Sequence, residues 1–267
     1  MISFPNAKIN IGLNVVEKRA DGYHNIETLF YPVGLCDVLE LAEATEPAFS
    51  SSGIEIDAAP ENNLVFKAYK LLKTAYNLPP IKFHLHKLIP FGAGLGGGSA
   101  DAAFALKMLN EFFQLQLTAE ELRQFASKIG ADCPFFIENQ PTFAYGIGNR
   151  FKPIELDLSD YKIVIVKPNV SVSTPQAYKN IVPQKAQFNL LNIATLPVDD
   201  WKDVIKNDFE RSVLPQFPEI AELKEKLYQL GAVYAAMSGS GSAVFGLFRH
   251  LPTDLANSLP KGIFIYR

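Results

Sequence analysis

The sequence predicts a mixed α+β fold, and three local patterns predict it. Strand-like and helix-like segments alternate without the strict beat of a doubly wound parallel sheet. The segment 81–86 alternates apolar and polar residues with period two. A glycine-rich turn then opens directly into a run of strong helix formers. The 267 residues are 48% apolar and 20% charged, which suits one or two folded domains and excludes disordered, collagenous and fibrous chains. Lys plus Arg (25) nearly balance Asp plus Glu (28), so the net charge of −3 offers no global field for nucleic acid. Two cysteines, Cys36 and Cys133, make no disulfide framework and fit a reducing cytoplasm. No apolar run approaches the roughly 18 residues that span a bilayer, so no membrane partner is expected.

The stretch from Met1 to Asn6 lacks a basic segment followed by an apolar one, so no secretory leader is expected. In strand 81–86, Ile81, Phe83 and Leu85 share one face and are expected to be buried. Pro90 ends that strand. The turn from Gly92 to Gly98 leads into a helix from Ser99 to Leu109, with Ser99 or a nearby residue as the cap and Asp101 in the first turn, facing the positive helix end. Thr118 and Glu121 make a capping-box pattern, after which Leu122, Phe125, Ala126 and Ile129 recur at helical spacing up to Gly130. Asp132 follows that stop, set among apolar residues. The polar stretch 151–160 is the expected domain seam, ahead of a strand at 162–166. Residues 181–200 read as irregular. A helix from Glu219 to Leu230 carries Ile220, Leu223, Leu227 and Leu230 on one face and ends at Gly231. The loop Ser238-Gly239-Ser240-Gly241-Ser242 runs into a strand at 243–248, and 263–266 reads as one more.

Five glycines between Gly92 and Gly98 serve a purpose where backbone must approach something closely or adopt positive φ repeatedly. Backbone N–H groups freed by such a loop and backed by a helix N-terminus form an anion cradle, so phosphate is the natural guest. A flexible hinge or tight helix-on-strand packing is the plainer alternative. The Gly-Lys-Ser/Thr ending of the Walker loop is missing, and no acidic residue sits at a strand end about twenty residues on, as a dinucleotide fingerprint requires. An oxidoreductase is therefore disfavoured.

The string Pro90-Phe91-Gly92-Ala93-Gly94-Leu95-Gly96-Gly97-Gly98-Ser99-Ala100-Asp101-Ala102-Ala103 closely resembles the phosphate loop of the GHMP kinases, named for galactokinase, homoserine kinase, mevalonate kinase and phosphomevalonate kinase. Three blocks are similar to one branch of that family, which phosphorylates a cytidine-diphosphate-linked methylerythritol in the non-mevalonate isoprenoid pathway. They are Ala7-Lys8-Ile9-Asn10-Ile11-Gly12-Leu13, Arg19-Ala20-Asp21-Gly22-Tyr23-His24, and Gly130-Ala131-Asp132-Cys133-Pro134-Phe135-Phe136. Asn207-Asp208-Phe209-Glu210 and the Ser238–Ser242 loop resemble later blocks, so the matches run in family order from Pro5 to Phe248.

The resemblance implies an N-terminal nucleotide-binding domain with a mixed sheet, here 1–155, and a C-terminal ferredoxin-like domain, 156–267, with the last strand free to return to the first domain and the active site between them. It also implies transfer of the ATP γ-phosphoryl group, with Mg2+, to a tertiary 2-hydroxyl of the cytidyl substrate. That hydroxyl is un-ionised at neutral pH, so the chemistry needs in-line positioning, charge neutralisation and a group to take or steer the proton. By resemblance Asp132 is that group and Lys8 its partner. On the residues alone, a helix cap at Asp132 and a solvated lysine at Lys8 are the commoner reading, because caps outnumber bases.

The ATP contacts implied are Asn63, Lys87, Pro90, Gly92, Ala93, Gly94, Leu95, Gly96, Gly97, Gly98 and Ser99. Lys87 also reads as a solvated strand-end lysine, and Asn63 as a helix cap. On the substrate side, Tyr23, His24 and Tyr178 suit a pyrimidine, because rings stack on its face and an imidazole can bond its edge. Thr174 is expected near the acceptor, Asn10 at the acceptor's hydroxyls or its diphosphate, and Ser240 and Gly241 near the phosphates. Tyr23 and His24 alternatively form a plain turn after Asp21-Gly22. His84 and His86 alternate on a strand face with no third ligand, which reads as a solvated face and no metal site. Cys133 reads as packing. Tyr145 stands where family members often have an acidic residue, which questions local loop contacts. The expected product is a small-molecule kinase, a monomer or weak homodimer. A homoserine- or mevalonate-type kinase and a catalytically silent nucleotide- or sugar-binding regulator are the alternatives.

Overall fold

A computed structural model describes residues 1–56 and 62–267 of the chain. Its strands and helices fall in two compact units.

The first unit comprises residues 1–8, 32–90 and 96–140. Its sheet has the order β1-β4-β6-β5, formed by β1 (Ile2–Ser3), β4 (Val38–Glu43), β6 (Ile81–Lys87) and β5 (Ala48–Gly53). The sheet is mixed: β5 runs parallel to β6, while β1–β4 and β4–β6 are antiparallel. The period-two reading of β6 holds, with Ile81, Phe83 and Leu85 fully buried. Helix α1 (Leu64–Tyr76) buries Val65, Ala68, Tyr69 and Leu72, the spacing of one helical face. It packs on α2 (Gly97–Phe112), whose buried Ala100, Ala102, Ala103 and Ala105 permit close approach. The capping box of α3 (Ala119–Ser127) is complete: the Thr118 hydroxyl accepts from the Glu121 N–H, and the Glu121 carboxylate accepts from the Thr118 N–H. The short α4 (Phe135–Glu138) follows.

The cap of α2 is a nearby loop residue and not Ser99, and the first-turn placing of Asp101 is corrected. Its N-cap is Gly96, which has no side chain to offer, and no acidic residue occupies its first turn. Asp101 lies one turn deeper and is drawn inward to the Lys87 ammonium, 2.8 Å away.

The second unit comprises residues 9–31, 91–95 and 141–267. Its long strands β2 (Asn6–Lys18) and β3 (His24–Cys36), most of whose residues belong to this unit, form a sheet of order β2-β3-β7-β8 with β7 (Thr142–Gly146) and β8 (Arg150–Pro153). β3 and β7 are antiparallel, with Leu29 opposite Phe143. A further sheet is formed by β9 (Lys162–Lys167), β10 (Tyr234–Met237), β11 (Val244–Phe248) and β12 (Phe264–Tyr266) in the order β10-β11-β9-β12, all antiparallel. With helices α5 (Thr174–Tyr178), α6 (Trp201–Val204), α7 (Glu210–Val213) and α8 (Pro218–Gln229) after β9, and α9 (Leu255–Ser258) before β12, this is the βαββαβ arrangement of a ferredoxin-like layer. β12 pairs with β9 and so stays with this sheet. The core of the layer gathers Val164, Val166, Ile220, Leu223, Leu227, Val244 and Phe248.

The irregular reading of 181–200 is also corrected. Leu190–Thr195 and Val198–Asp200 are 3-10 turns, the first capped by Asn189, whose side chain accepts from the Leu191 N–H. Turns this short carry too few residues to show a periodicity in sequence.

Candidate active site

In the first unit, the side chains named for chemistry converge at the start of α2. Lys8 on β2 lies with its nitrogen 3.6 Å from the Asp132 carboxylate; its side chain is 4% exposed, against 35% for Asp132. Asp132 sits in the turn ahead of α4, held by backbone bonds from the Cys133 N–H to Gly130 and from the Phe135 N–H to Asp132. The buried Phe135 and Phe136 anchor that turn, and α4 is capped by Pro134 without a side-chain hydrogen bond, so Asp132 is no helix cap. Gly96 closes over the pair: with φ +72°, a Cβ there would stand 3.1 Å from the Lys8 side chain and 2.9 Å from Phe136. Ser99 reaches back to the Cys133 thiol. Burial pushes that thiol up to about 12, which leaves Cys133 an inert packing group.

Burial also lowers the pKa of Lys8, while the neighbouring Asp132 opposes the shift through its charge and a hydrogen bond. The result is a desolvated ammonium beside a part-exposed carboxylate, under a loop of backbone donors.

Of the two readings given for Lys87 the structure removes one, and for Asn63 it shows the cap. Lys87 is no solvated strand-end lysine; its side chain is 1% exposed and its ammonium lies between Asp37 and Asp101. Asn63 is the N-cap of α1, its side-chain oxygen accepting from the Val65 N–H at 2.9 Å.

In the second unit, residues 91–95 of the glycine loop dock against the serine-glycine loop. The N–H groups of Ser242 and Ala243 donate to the carbonyls of Gly92 and Ala93, and the Ser238 hydroxyl donates to the Gly94 carbonyl at 2.9 Å. Gly94, at φ +71°, has its Cα side filled by the Ser238 carbonyl, so no larger residue fits. Asn10 joins this network: its N–H donates to the Ser238 hydroxyl at 3.1 Å, and its side-chain amide donates to Thr28 at 3.0 Å. Asn207 fixes the same loop from below, donating to the carbonyls of Met237 and Gly239 at 2.8 Å each. Gly241 turns here, its N–H bonded to the Ser238 carbonyl, with Ser240 beside it.

Also in this unit, His24 and Tyr178 stack with ring centroids 4.8 Å apart, and Phe209 braces Tyr178 edge-on. Thr174 is one helical turn ahead of Tyr178 on α5, whose N-cap is Ser173. Tyr23 stands apart at 62% exposure. Sequence reasoning did not single out Thr28, Asn207 or Ser238 as individual residues; each has polar or glycine neighbours in the chain, and only the folded contacts set it apart. His84 and His86 bond the hydroxyls of Ser50 and Ser52, and among the described residues no group of three His, Cys, Asp or Glu is arranged for a metal ion.

The family model for the GHMP kinases N terminal domain matches residues 63–146, and that for the GHMP kinases C terminal matches 196–261. A 4-diphosphocytidyl-2-C-methyl-D-erythritol kinase of Parabacteroides distasonis is 58% identical over 266 residues, covering 100% of this chain and 98% of its own. One of Cytophaga hutchinsonii is 50% identical, covering 94% of each chain. A crystal structure of a 4-(cytidine 5'-diphospho)-2C-methyl-D-erythritol kinase matches with TM-score 0.81 and 33% identity over 92% of this chain and 90% of that one. The mevalonate kinase of Methanococcus jannaschii, 14% identical with TM-score 0.75 over 100% of this chain and 96% of its own, shares the fold. The chain therefore belongs to the 4-diphosphocytidyl-2-C-methyl-D-erythritol kinase family of the GHMP kinases and is an ATP-dependent kinase.

Proposed function

We propose that the chain carries out its family's reaction with Asp132 and Lys8 at the reacting centre and the glycine loop on the phosphates. The γ-phosphoryl group of ATP passes to the tertiary 2-hydroxyl of 4-diphosphocytidyl-2-C-methyl-D-erythritol. The observation that carries this reading is the Lys8–Asp132 pair lying under Gly96 at the mouth of α2. A phosphoryl transfer asks little covalent chemistry of a protein and much positioning and charge. Asp132, the more exposed partner, accepts or steers the hydroxyl proton. The buried Lys8 pairs with that carboxylate and neutralises charge on the transferring group. Gly94 to Ser99 supply backbone N–H groups to the triphosphate, with the helix N-terminus behind them.

Magnesium fits as a companion of ATP. Mg2+ keeps water ligands and binds through substrate phosphates with one or two carboxylates, so it needs no all-protein cage. Asp132 is the carboxylate this cluster offers, and the metal would supply charge neutralisation on the phosphates.

The His24–Tyr178 stack, braced by Phe209, supports a cytosine platform, with Thr174 on the same helix and Ser240 and Gly241 toward the phosphates. Asn10 serves by holding the serine-glycine loop. A division near residue 155 belongs to the same reading and is supported by family models on either side of it. So do a cytoplasmic setting, a monomer or weak homodimer, and partners limited to small molecules. Among the described residues no helix is long and apolar enough to cross a membrane.

The test is ADP release by the purified protein with ATP and magnesium, comparing the cytidyl substrate with homoserine, mevalonate and galactose. Release with the cytidyl substrate alone is expected. Release with another alcohol would overturn the pocket, and release with none would return the silent regulator.

A further inference from the structure

Three charged side chains outside the reacting pair meet in the interior of the first unit. Lys87, the last residue of β6, places its ammonium between Asp37, in the turn joining β3 to β4, and Asp101 on α2, and none of the three side chains is more than 4% exposed. Asp37 is well supplied: one oxygen takes the Lys87 ammonium, and the other accepts from the N–H groups of Leu88 and Ile89 at 2.6 and 2.8 Å. Asp101 is not. Its Oδ2 takes the Lys87 ammonium at 2.8 Å, but its Oδ1 is buried without a hydrogen-bond partner. Two carboxylates against one ammonium in dry surroundings leave one negative charge uncompensated, and a bound proton removes it.

The cluster lies directly beneath the phosphate loop. The Lys87 nitrogen is 2.9 Å from where a Cβ on Gly97 would stand, and Gly97 is the first residue of α2. Asp37 in turn bonds Leu88 and Ile89, where the chain leaves β6 for the loop.

We propose that Asp101 is a positioning residue for the nucleotide. As the neutral acid it completes a net-neutral cluster under the loop; as the carboxylate it sets an unpaired negative charge behind the first turn of α2 and weakens the hold on the ATP phosphates. The change is loss of one proton from Asp101 to solvent. The inference rests on the reading that this loop binds ATP.

Burial drives the Asp101 acid up to about 8; the Lys87 charge opposes the rise and the Asp37 charge adds to it. Among the described residues those are the charged groups acting on it, from β6 and from the turn before β4. The helices α1, α3 and α4 and the strand β4, which also pack on α2, bring none.

The experiment has a ligand-free arm and an ATP arm, each with the full-length protein and Asp101→Asn, in which the amide imitates the neutral acid. Without ATP, carboxyl-carbon NMR of aspartate-labelled protein should show one aspartate titrating near pH 8 in the unsubstituted protein and none there in the variant. With ATP and magnesium, calorimetry should show the Kd of the unsubstituted protein rising roughly five- to tenfold more between about pH 7 and about pH 9.5 than that of the variant, which retains whatever pH dependence Lys8 brings. No aspartate titrating above about pH 6 overturns the inference whether or not the variant folds. Equal pH dependence of ATP binding in both proteins overturns it and leaves the kinase reading standing. No ATP binding at any pH overturns both.

Discussion

The Ser238 hydroxyl takes a hydrogen bond from the Asn10 N–H at 3.1 Å and gives one to the Gly94 carbonyl at 2.9 Å, so one small side chain ties a β-strand to the glycine loop. The loop is thereby preorganised before any ligand arrives, which is what catalysis by positioning requires.

Gly94→Ala should be costly. The residue combines φ +71° with a Ser238 carbonyl where the methyl would go, so strain and collision act together. A loss of about 2 kcal/mol or more in folding stability is expected. Thermal melting checks this, together with a rise in KM for ATP that exceeds any fall in kcat.

Lys8 should set an alkaline limit on turnover. Burial depresses its pKa, with Asp132 opposing, so the ammonium is lost at lower pH than an exposed lysine near about 10.4. Turnover should fall through that pKa as pH rises. Stability moves the other way: between the folded and unfolded pKa values the unfolded chain holds the extra proton, so stability rises with pH across that window. Lys8→Met should remove both trends and lower kcat by roughly a hundredfold at neutral pH. Paired pH profiles of kcat and Tm measure them.

Tyr178→Ala should raise KM for the cytidyl substrate roughly 5- to 100-fold, the range expected for a lost base–aromatic stack, with KM for ATP nearly unchanged. Tyr178→Phe keeps the ring against His24 and Phe209 and should stay within about threefold. Steady-state kinetics with each substrate varied in turn decides it.

Local patterns carried much of this fold. The period of β6, the Thr118–Glu121 capping box and the glycine loop are each written within about ten residues, at a scale where sequence periodicity operates. The site needed more. Asp101 reads as a helix-start acid until the chain folds and Lys87, 14 residues away, and Asp37, 50 residues from Lys87, are brought against it. Asn207 gave no hint that it would hold Met237 and Gly239 some 30 residues on. Such partnerships are set by tertiary packing, and no window on the chain contains them.

The central claim is that Asp132 handles the acceptor proton beside Lys8, and the most direct test is Asp132→Asn measured for turnover and for ATP binding together. The carboxamide keeps the shape and loses the basic oxygen. Turnover should fall roughly 10²- to 10⁴-fold, as for loss of a general base, while the calorimetric Kd for ATP stays within about threefold. An unchanged kcat in a variant that still binds ATP would contradict the account.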